Sequence, residues 1–163
     1  MIMNVLMIIL NMIIYASIIS SSLLNIVKNL IDDGHEVTIT GTNAEAVVAG
    51  VYKVLNLHLD ETDWSHIKEM DVVFHQAAIP RVLYSVEYPV ETTEVNILST
   101  VKLFEACCHS VERVVYASSS SVYGGADVMP TQESHPKDPK SPYAWQKSSI
   151  EGIAKICADL YEL

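Results

Sequence analysis

The chain has 163 residues, of which 50% are hydrophobic and 18% are charged, and its formal net charge at pH 7 is −10. This length suffices for one domain with a buried core, and the composition excludes a disordered chain. Because no run of Lys or Arg is present to neutralise phosphates, nucleic acid is excluded as an expected partner.

The first 24 residues contain no charged side chain and are mostly aliphatic. We expect the apolar run Asn4–Leu10 to form a buried strand, with a buried helix after it. A stretch of this length could also span a bilayer, so a membrane anchor through residues 1–24 is the alternative. No Lys or Arg precedes the run, and Asn and Ser residues interrupt it, which favours the buried strand.

Helix and strand signals alternate through the rest of the first half. Leu23–Ile31 has apolar residues at helical spacing and is followed by Gly34, a natural helix stop. Glu36–Thr40 is alternating and β-branched, which predicts a strand. A short strand is predicted at Tyr52–Leu57 and a short helix at Asp63–Met70.

The second half continues the alternation. Asp71–His75 and Val111–Ala117 are predicted strands, and Pro89–His109 has helical periodicity. A long loop over Gly124–Ser141 leads to a last helix, Pro142–Tyr161, with Ser141 as N-cap and Pro142 at its first position. Five strands separated by helices predict a doubly wound α/β fold with a parallel sheet and helices on both faces.

The three cysteines, Cys107, Cys108 and Cys157, include no C-x-x-C pair. They predict neither a disulfide framework nor a metal site, and they are typical of a reducing, cytoplasmic setting. We interpret Cys107 and Cys108 as helix packing residues, and His75 as a core histidine at a strand end.

Three residues form the candidate catalytic set. Tyr143 and Lys147 lie four apart at the start of the last helix, so their side chains share a face. Ser119 follows the Val111–Ala117 strand, and ligands of open α/β sheets bind outside the carboxyl ends of the strands. A phenol of pKa about 10 is a weak base at neutral pH, but a nearby ammonium favours its phenolate. A hydroxyl could then hold the reacting oxygen of a substrate beside it.

Several motifs occur in a fixed order along the chain and make the prediction of this site more specific: DDGHEVTIT, DVVFHQAA, NILST, VVYASSSSVYGG and SPYAWQK. Together they resemble the NAD-dependent epimerase/dehydratase family of extended short-chain dehydrogenases/reductases, which includes UDP-glucose 4-epimerase and dTDP-glucose 4,6-dehydratase. The resemblance runs from Ile26 to Leu163. It implies a Rossmann-like domain, NAD as cofactor and a nucleoside-diphosphate sugar as substrate.

The resemblance also implies roles for individual residues. Ser119 orients the substrate, Tyr143 is the base, and Lys147 lowers the pKa of Tyr143 and contacts the nicotinamide ribose. Further cofactor contacts are implied at Ala77, Ala78, Asn96 and Ser118, and further substrate contacts at Ser85 and Ser120. A homodimer is implied through the helices at 89–109 and 142–161.

The sequence departs from the family where the cofactor phosphates should lie. The family's three loop glycines fall near Ser17, Ser20 and Leu23, although glycine is needed there for close backbone approach to a pyrophosphate. Gly41 stands where the ribose-binding acid is usual, and His58 where an adenine-contacting Asp is usual. We therefore expect weak NAD binding.

The chain also ends at the helix of Lys147. We therefore expect an incomplete domain over 1–163, truncated before the last strands and the C-terminal substrate domain. Two interpretations stay open: an epimerase or dehydratase that is impaired alone, and a non-catalytic Rossmann-like remnant or dimerisation module. Dehydratases of this group have an acid pair where Ser120 and Ser121 stand, which favours an epimerase.

Overall fold

The computed structural model of the chain describes residues 3–8, 21–40, 53–55, 64–125 and 129–161. Several positions named above lie outside the described residues: Ile9 and Leu10 of the first predicted strand, Ser17 and Ser20, Gly41, and His58. Within the described ranges no helix combines the length and the apolar character needed to cross a bilayer. Residues 1–2 and 9–20 of the alternative anchor fall outside those ranges.

Five parallel strands form one sheet in the order β3-β2-β1-β4-β5. The strands are β1 (Asn4–Ile8), β2 (Glu36–Thr40), β3 (Lys53–Leu55), β4 (Val72–His75) and β5 (Arg113–Tyr116). In register, Val5 of β1 lies beside Val37 of β2 on one side and Val72 of β4 on the other. The predicted parallel α/β sheet is thus confirmed, with β3 and β5 at the edges of its described part.

The chain changes direction within this sheet. From β1 it proceeds to β2 and β3 on one side, and it then returns to β4 and β5 on the other. With right-handed crossovers this change puts the connections before and after the reversal on opposite faces of the sheet, as the predicted doubly wound topology requires. In open α/β sheets such a switch point, here between β1 and β4, opens the crevice that receives ligands.

The first helix, α1 (Ser21–Asp32), ends where the sequence predicts. Gly34 has φ +85°, and its N–H donates to the carbonyl of Ile31 at 2.9 Å. The next N–H, from His35, donates to the carbonyl of Leu30 at 3.0 Å. These bonds satisfy the last carbonyls of the helix, which is the usual reason for glycine at this position.

The second half contains more helical segments than predicted. Trp64–Glu69 is a 3₁₀ helix rather than the predicted α-helix, a geometry that is frequent in short connecting segments. An unpredicted helix, α2 (Val82–Glu87), precedes α3 (Pro89–Thr93). Pro89 separates the two because it lacks the N–H that would continue α2.

The predicted helix Pro89–His109 is present, but its middle has a different geometry. After α3, a π-helical turn covers Glu94–Leu98, and α4 (Ser99–Cys107) completes the helix. His109, with φ +67°, lies beyond its end. The last helix, α5 (Pro142–Tyr161), has the predicted bounds and packs against α2, α3 and α4.

One hydrophobic core joins β4 to the 3₁₀ segment Trp64–Glu69, the π-helical turn and α4. Its buried members are Ile67, Met70, Val73, Ala77, Ile79, Val95, Leu103, Cys107 and Val111. Burying an aliphatic side chain of this size contributes about 1.5–3 kcal/mol. Burial raises the pKa of the Cys107 thiol to about 12, so this cysteine serves packing, as predicted. This core supports the carboxyl end of β4.

Candidate active site

The serine run after β5 is held as a capped turn. Ser119 has extended backbone and caps a 3₁₀ turn over Ser120–Tyr123. Its Oγ accepts from the N–H of Ser121 at 3.3 Å and from the Oγ–H of Ser121 at 2.9 Å. Gly124 ends the turn in a left-handed conformation, with φ +65°. Ser119 is thereby fixed just beyond the carboxyl end of β5.

Helix α5 begins with the predicted cap. The Oγ of Ser141 accepts from the N–H of Ala144 at 3.1 Å, and Pro142 takes the first helical position. The N–H of Tyr143, which an intrahelical bond cannot satisfy, donates to Ser85 Oγ at 3.0 Å. The first turn of α5, which carries Tyr143, is therefore anchored from two sides.

Tyr143 and Lys147 are both nearly buried, with exposed fractions of 7% and 8%. Lys147 Nζ donates to the carbonyl of Ala117 at 2.9 Å, which ties the helix to the end of β5. Burial lowers the pKa of Lys147 to about 8, so its ammonium remains protonated at neutral pH. The predicted convergence of Tyr143 and Lys147 with the serine run is present.

Burial also raises the pKa of Tyr143, and a hydrogen bond with the Ser119 side chain partly offsets the effect. Tyr143 is therefore a neutral phenol at pH 7 in this arrangement. The main cause of this pKa shift is desolvation of the phenolate, and Lys147 is not among its causes. The expected lowering of the Tyr143 pKa by Lys147 is therefore not seen in this arrangement.

Asn96 connects three parts of the molecule. Its Oδ1 accepts from the Ile79 N–H at 2.7 Å, and its Nδ2 donates to the Ile79 carbonyl at 3.2 Å and to Gln146 Oε1 at 2.8 Å. Asn96 is buried in the π-helical turn. Its amide thus fixes the segment that follows Ala77 and Ala78, and these polar contacts are all with protein atoms.

Sequence analysis missed Gln146, which is fully buried in α5. Besides accepting from Asn96, it donates through Nε2 to Oγ1 of Thr92 and of Thr93, at 3.0 Å each. One signal was available in the sequence. Positions 143, 146, 147 and 150 have the spacing of one helix face, and all four are buried. An amide on that face requires polar partners.

His75, at the end of β4, belongs to the same buried network. Its Nε2 lies 2.9 Å from Oγ1 of Thr100, which itself donates to the carbonyl of Asn96. Nε2 must then carry the hydrogen, and Nδ1 has no partner among the described residues. Burial, and to a lesser extent the charge of Lys147, lowers the pKa of His75 to about 3. A neutral core histidine results, as predicted.

The other predicted site residues make contacts within the protein. Ser85 is fully buried, and its hydroxyl donates to the carbonyl of Val82 while accepting from Tyr143. Ser118 is exposed and donates to Glu151, which also pairs with Lys137. Ser120 is exposed. Ser85 therefore positions the first turn of α5, and Ser118 faces α5.

A parallel α/β sheet whose strand order reverses between β1 and β4 defines a class, the doubly wound nucleotide-binding folds. Comparison with protein families specifies the family. The profile of the NAD dependent epimerase/dehydratase family matches residues 24–163, and the chain belongs to this family.

Curated relatives match the chain over part of its length. UDP-glucose 4-epimerase of Mycolicibacterium smegmatis is 41% identical over 95 residues, which cover 57% of this chain and 30% of that protein. The dTDP-D-glucose 4,6-dehydratase of Mus musculus is 37% identical over 97 residues, covering 59% of this chain and 27% of that protein. Relatives with both activities are thus similar to this chain.

Solved structures match nearly the whole chain. UDP-N-acetylglucosamine 4-epimerase of Methanobrevibacter ruminantium, in complex with UDP-N-acetylmuramic acid, has a TM-score of 0.84 and 32% identity. UDP-glucose 4-epimerase of Thermus thermophilus, in complex with NAD, has a TM-score of 0.79 and 31% identity. Each match covers 99% of this chain and 52% of the other, so the chain spans about half the length of these proteins.

Proposed function

We propose that this chain carries the proton-transfer site of an NAD-dependent epimerase or dehydratase acting on nucleoside-diphosphate sugars. The observation that carries the proposal is the placement of Ser119, Tyr143 and Lys147 at the carboxyl end of β5. The names of the relatives support the substrate class. The matched structures are about twice as long as this chain, and we propose that the part of those proteins outside the match contributes to their activity.

In the proposed reaction Tyr143 takes the proton of a sugar hydroxyl. The neighbouring Ser119 hydroxyl favours the phenolate and so opposes the effect of burial, and the Lys147 ammonium lies one helical turn further along α5. Because the amide of Asn96 fixes the segment after Ala77 and Ala78, these small residues would form a stable wall beside the site.

The described residues fit NAD in one respect. Among the described residues, Lys147 Nζ donates to the Ala117 carbonyl alone, so two of the three ammonium hydrogens would be available for the hydroxyls of a nicotinamide ribose. When bound, NAD supplies the hydride acceptor for the sugar carbon. We infer that binding is weak, because Ser17, Ser20 and Leu23 stand where the family has glycines.

An NAD titration tests this proposal, with the fluorescence of Trp145, which precedes Gln146 in α5, as the readout. We expect weak, saturable binding by the wild-type chain and its loss in Lys147→Met. Low-micromolar affinity would contradict weak binding. Identical binding curves for wild type and Lys147→Met would contradict the role of Lys147 in cofactor binding.

A dimerisation module is the second candidate, because the two helices implied in a family dimer have exposed apolar side chains. Val90 and Leu98 are exposed on the first, and Trp145 and Ile156 on α5. Single apolar residues on a surface are ordinary, but four on adjacent helices are typical of an interface. Sedimentation equilibrium of wild type and the double variant Leu98→Glu, Ile156→Glu tests it. A stable wild-type dimer that the variant abolishes, without NAD binding, would favour this function.

A further inference from the structure

Backbone groups fix the direction of every hydrogen bond that the Asn96 side chain makes. The Ile79 N–H can only donate, at 2.7 Å to Oδ1, and the Ile79 carbonyl can only accept, at 3.2 Å from Nδ2. The Asn96 amide therefore has a single orientation. Its second amide hydrogen points to the Gln146 side chain, 2.8 Å away, so the acceptor there is Oε1.

The opposite end of this chain of hydrogen bonds is fixed in the same way. The hydroxyls of Thr92 and Thr93 donate to backbone carbonyls at the N-terminal end of α3, at 3.0 and 2.7 Å. Both hydroxyl oxygens then accept from Nε2 of Gln146, at 3.0 Å each. All four side-chain amide hydrogens of Asn96 and Gln146 are thus engaged, in directions that agree from one end to the other.

This chain of hydrogen bonds lies away from water. Gln146 and Thr92 have no exposed surface, and Asn96 is almost as deeply buried. Loss of one partner would leave a buried amide group unpaired, which is unfavourable because water cannot replace the bond. The bonds therefore hold three segments at fixed separations: the start of α3, the first turns of α5, and Ile79 after β4.

We propose that Gln146 is a positioning residue of the active site, which sets the distance between α5 and the segment that follows β4. Gln146 directly precedes Lys147 and shares a buried helix face with Tyr143, whereas Ile79 directly follows Ala77–Ala78. The link would keep the wall formed by these small residues at a fixed distance from the reacting side chains, on which proton and hydride transfer depend. This role rests on the proposed function, but the link itself needs neither cofactor nor substrate.

Hydrogen exchange of single amides in the apo chain, followed by ¹H–¹⁵N NMR, tests this role. The reporter is the Ile79 N–H, which is bonded to Asn96 rather than to Gln146. Gln146→Met removes the amide at similar size. We expect it to accelerate exchange at Ile79 about threefold to tenfold beyond any acceleration of the slowest core amides.

A matched control distinguishes positioning from a general loss of stability. Ile150 is a buried apolar residue on the same face of α5, and it takes no part in the chain of hydrogen bonds. Ile150→Val should lower the stability of the whole fold, so it should accelerate Ile79 no more than the slowest core amides.

A second variant breaks the link while keeping Gln146. Thr92→Val with Thr93→Val removes both acceptors of Nε2 at nearly constant shape, and it should produce an excess at Ile79 even if Gln146→Met fails to fold. The absence of this excess in any of these variants that folds, or an equal excess in Ile150→Val, would overturn the proposal. Failure of the chain to bind NAD would contradict the proposed function and leave these exchange rates unaffected, so the two hypotheses can fail separately.

Discussion

Lys147 is a charged group that the fold has nearly removed from water. Its pKa is about 8 in the folded chain against 10.5 ordinarily, because burial penalises the ammonium. Between these values the unfolded chain binds more protons than the folded chain, so the stability contributed by this group rises as the pH rises. Below pH 8 the penalty is complete, and it amounts to at most about 3 kcal/mol.

We therefore predict that Lys147→Met is more stable than wild type at pH 7, by about 1–2 kcal/mol after the loss of the hydrogen bond to Ala117. The difference should shrink as the pH is raised from 8 towards 10.5. Urea unfolding at several pH values measures it. A difference that does not change with pH would show that the Lys147 ammonium is not destabilised by burial.

Gln146 is predicted to stabilise the site without taking part in its chemistry. Gln146→Leu removes the acceptor of Asn96 Nδ2 and the donor to Thr92 and Thr93. We expect a loss of about 1–3 kcal/mol in the free energy of unfolding. Lys155→Leu, at an exposed position of the same helix, is the control and should change stability by no more than about 0.5 kcal/mol. Equal effects would mean that the amide network contributes nothing measurable.

At the scale of elements, the turn after β5 depends on one glycine. A Cβ added to Gly124 would lie 1.9 Å from the backbone oxygen of Asp138, which cannot move aside as a side chain could. Gly125 also has a positive φ, +85°, but no atom of the described residues lies within 4 Å of its Cβ position. Substitutions at Gly124 and Gly125 therefore distinguish the cost of a positive φ from the cost of a steric clash.

We predict that Gly124→Ala destabilises the chain by more than about 3 kcal/mol, whereas Gly125→Ala costs about 1 kcal/mol. Because the clash would displace the turn, Gly124→Ala should also perturb the environment of Tyr143. Thermal unfolding and the ¹⁹F signal of a fluorinated Tyr143 measure the two effects. Similar melting temperatures for the two variants would contradict the clash.

The sequence predicted elements well where local chemistry determines them. Pro142 and Ser141 begin α5, Gly34 ends α1, and alternation in Glu36–Thr40 marks β2. The sequence predicted the geometry of a segment less well where tertiary contacts determine it. The π-helical turn Glu94–Leu98 has ordinary helical residues, so no local signal distinguishes it from α-helix.

The same division applies to the candidate site. Tyr143, Lys147 and Ser119 were predictable because spacing and strand order bring them to one edge. The partners of Asn96 and Ser85 were not, since both side chains bond to atoms distant in sequence, Gln146 and Ile79 for one and Tyr143 for the other. A role inferred from similarity to a family does not specify which of these partners a buried polar group takes.

At the scale of the whole molecule, we expect the position of β5 at the edge of the described sheet to favour aggregation in concentrated solution. Val115 of this strand is 42% exposed, and a groove of about 260 Å³ beside it is lined by Phe104, Val114 and Tyr116. An edge strand with apolar side chains is a template for strand addition by other molecules.

We predict that Val115→Lys raises the protein concentration at which aggregation begins, while Lys155→Leu, near the same groove, lowers it. Light scattering measured against protein concentration gives the aggregation threshold of each variant. An unchanged threshold in Val115→Lys would show that aggregation does not begin at the β5 edge. If the prediction holds, expression yield and storage life would depend on the exposed side of β5 rather than on Ser119, Tyr143 and Lys147.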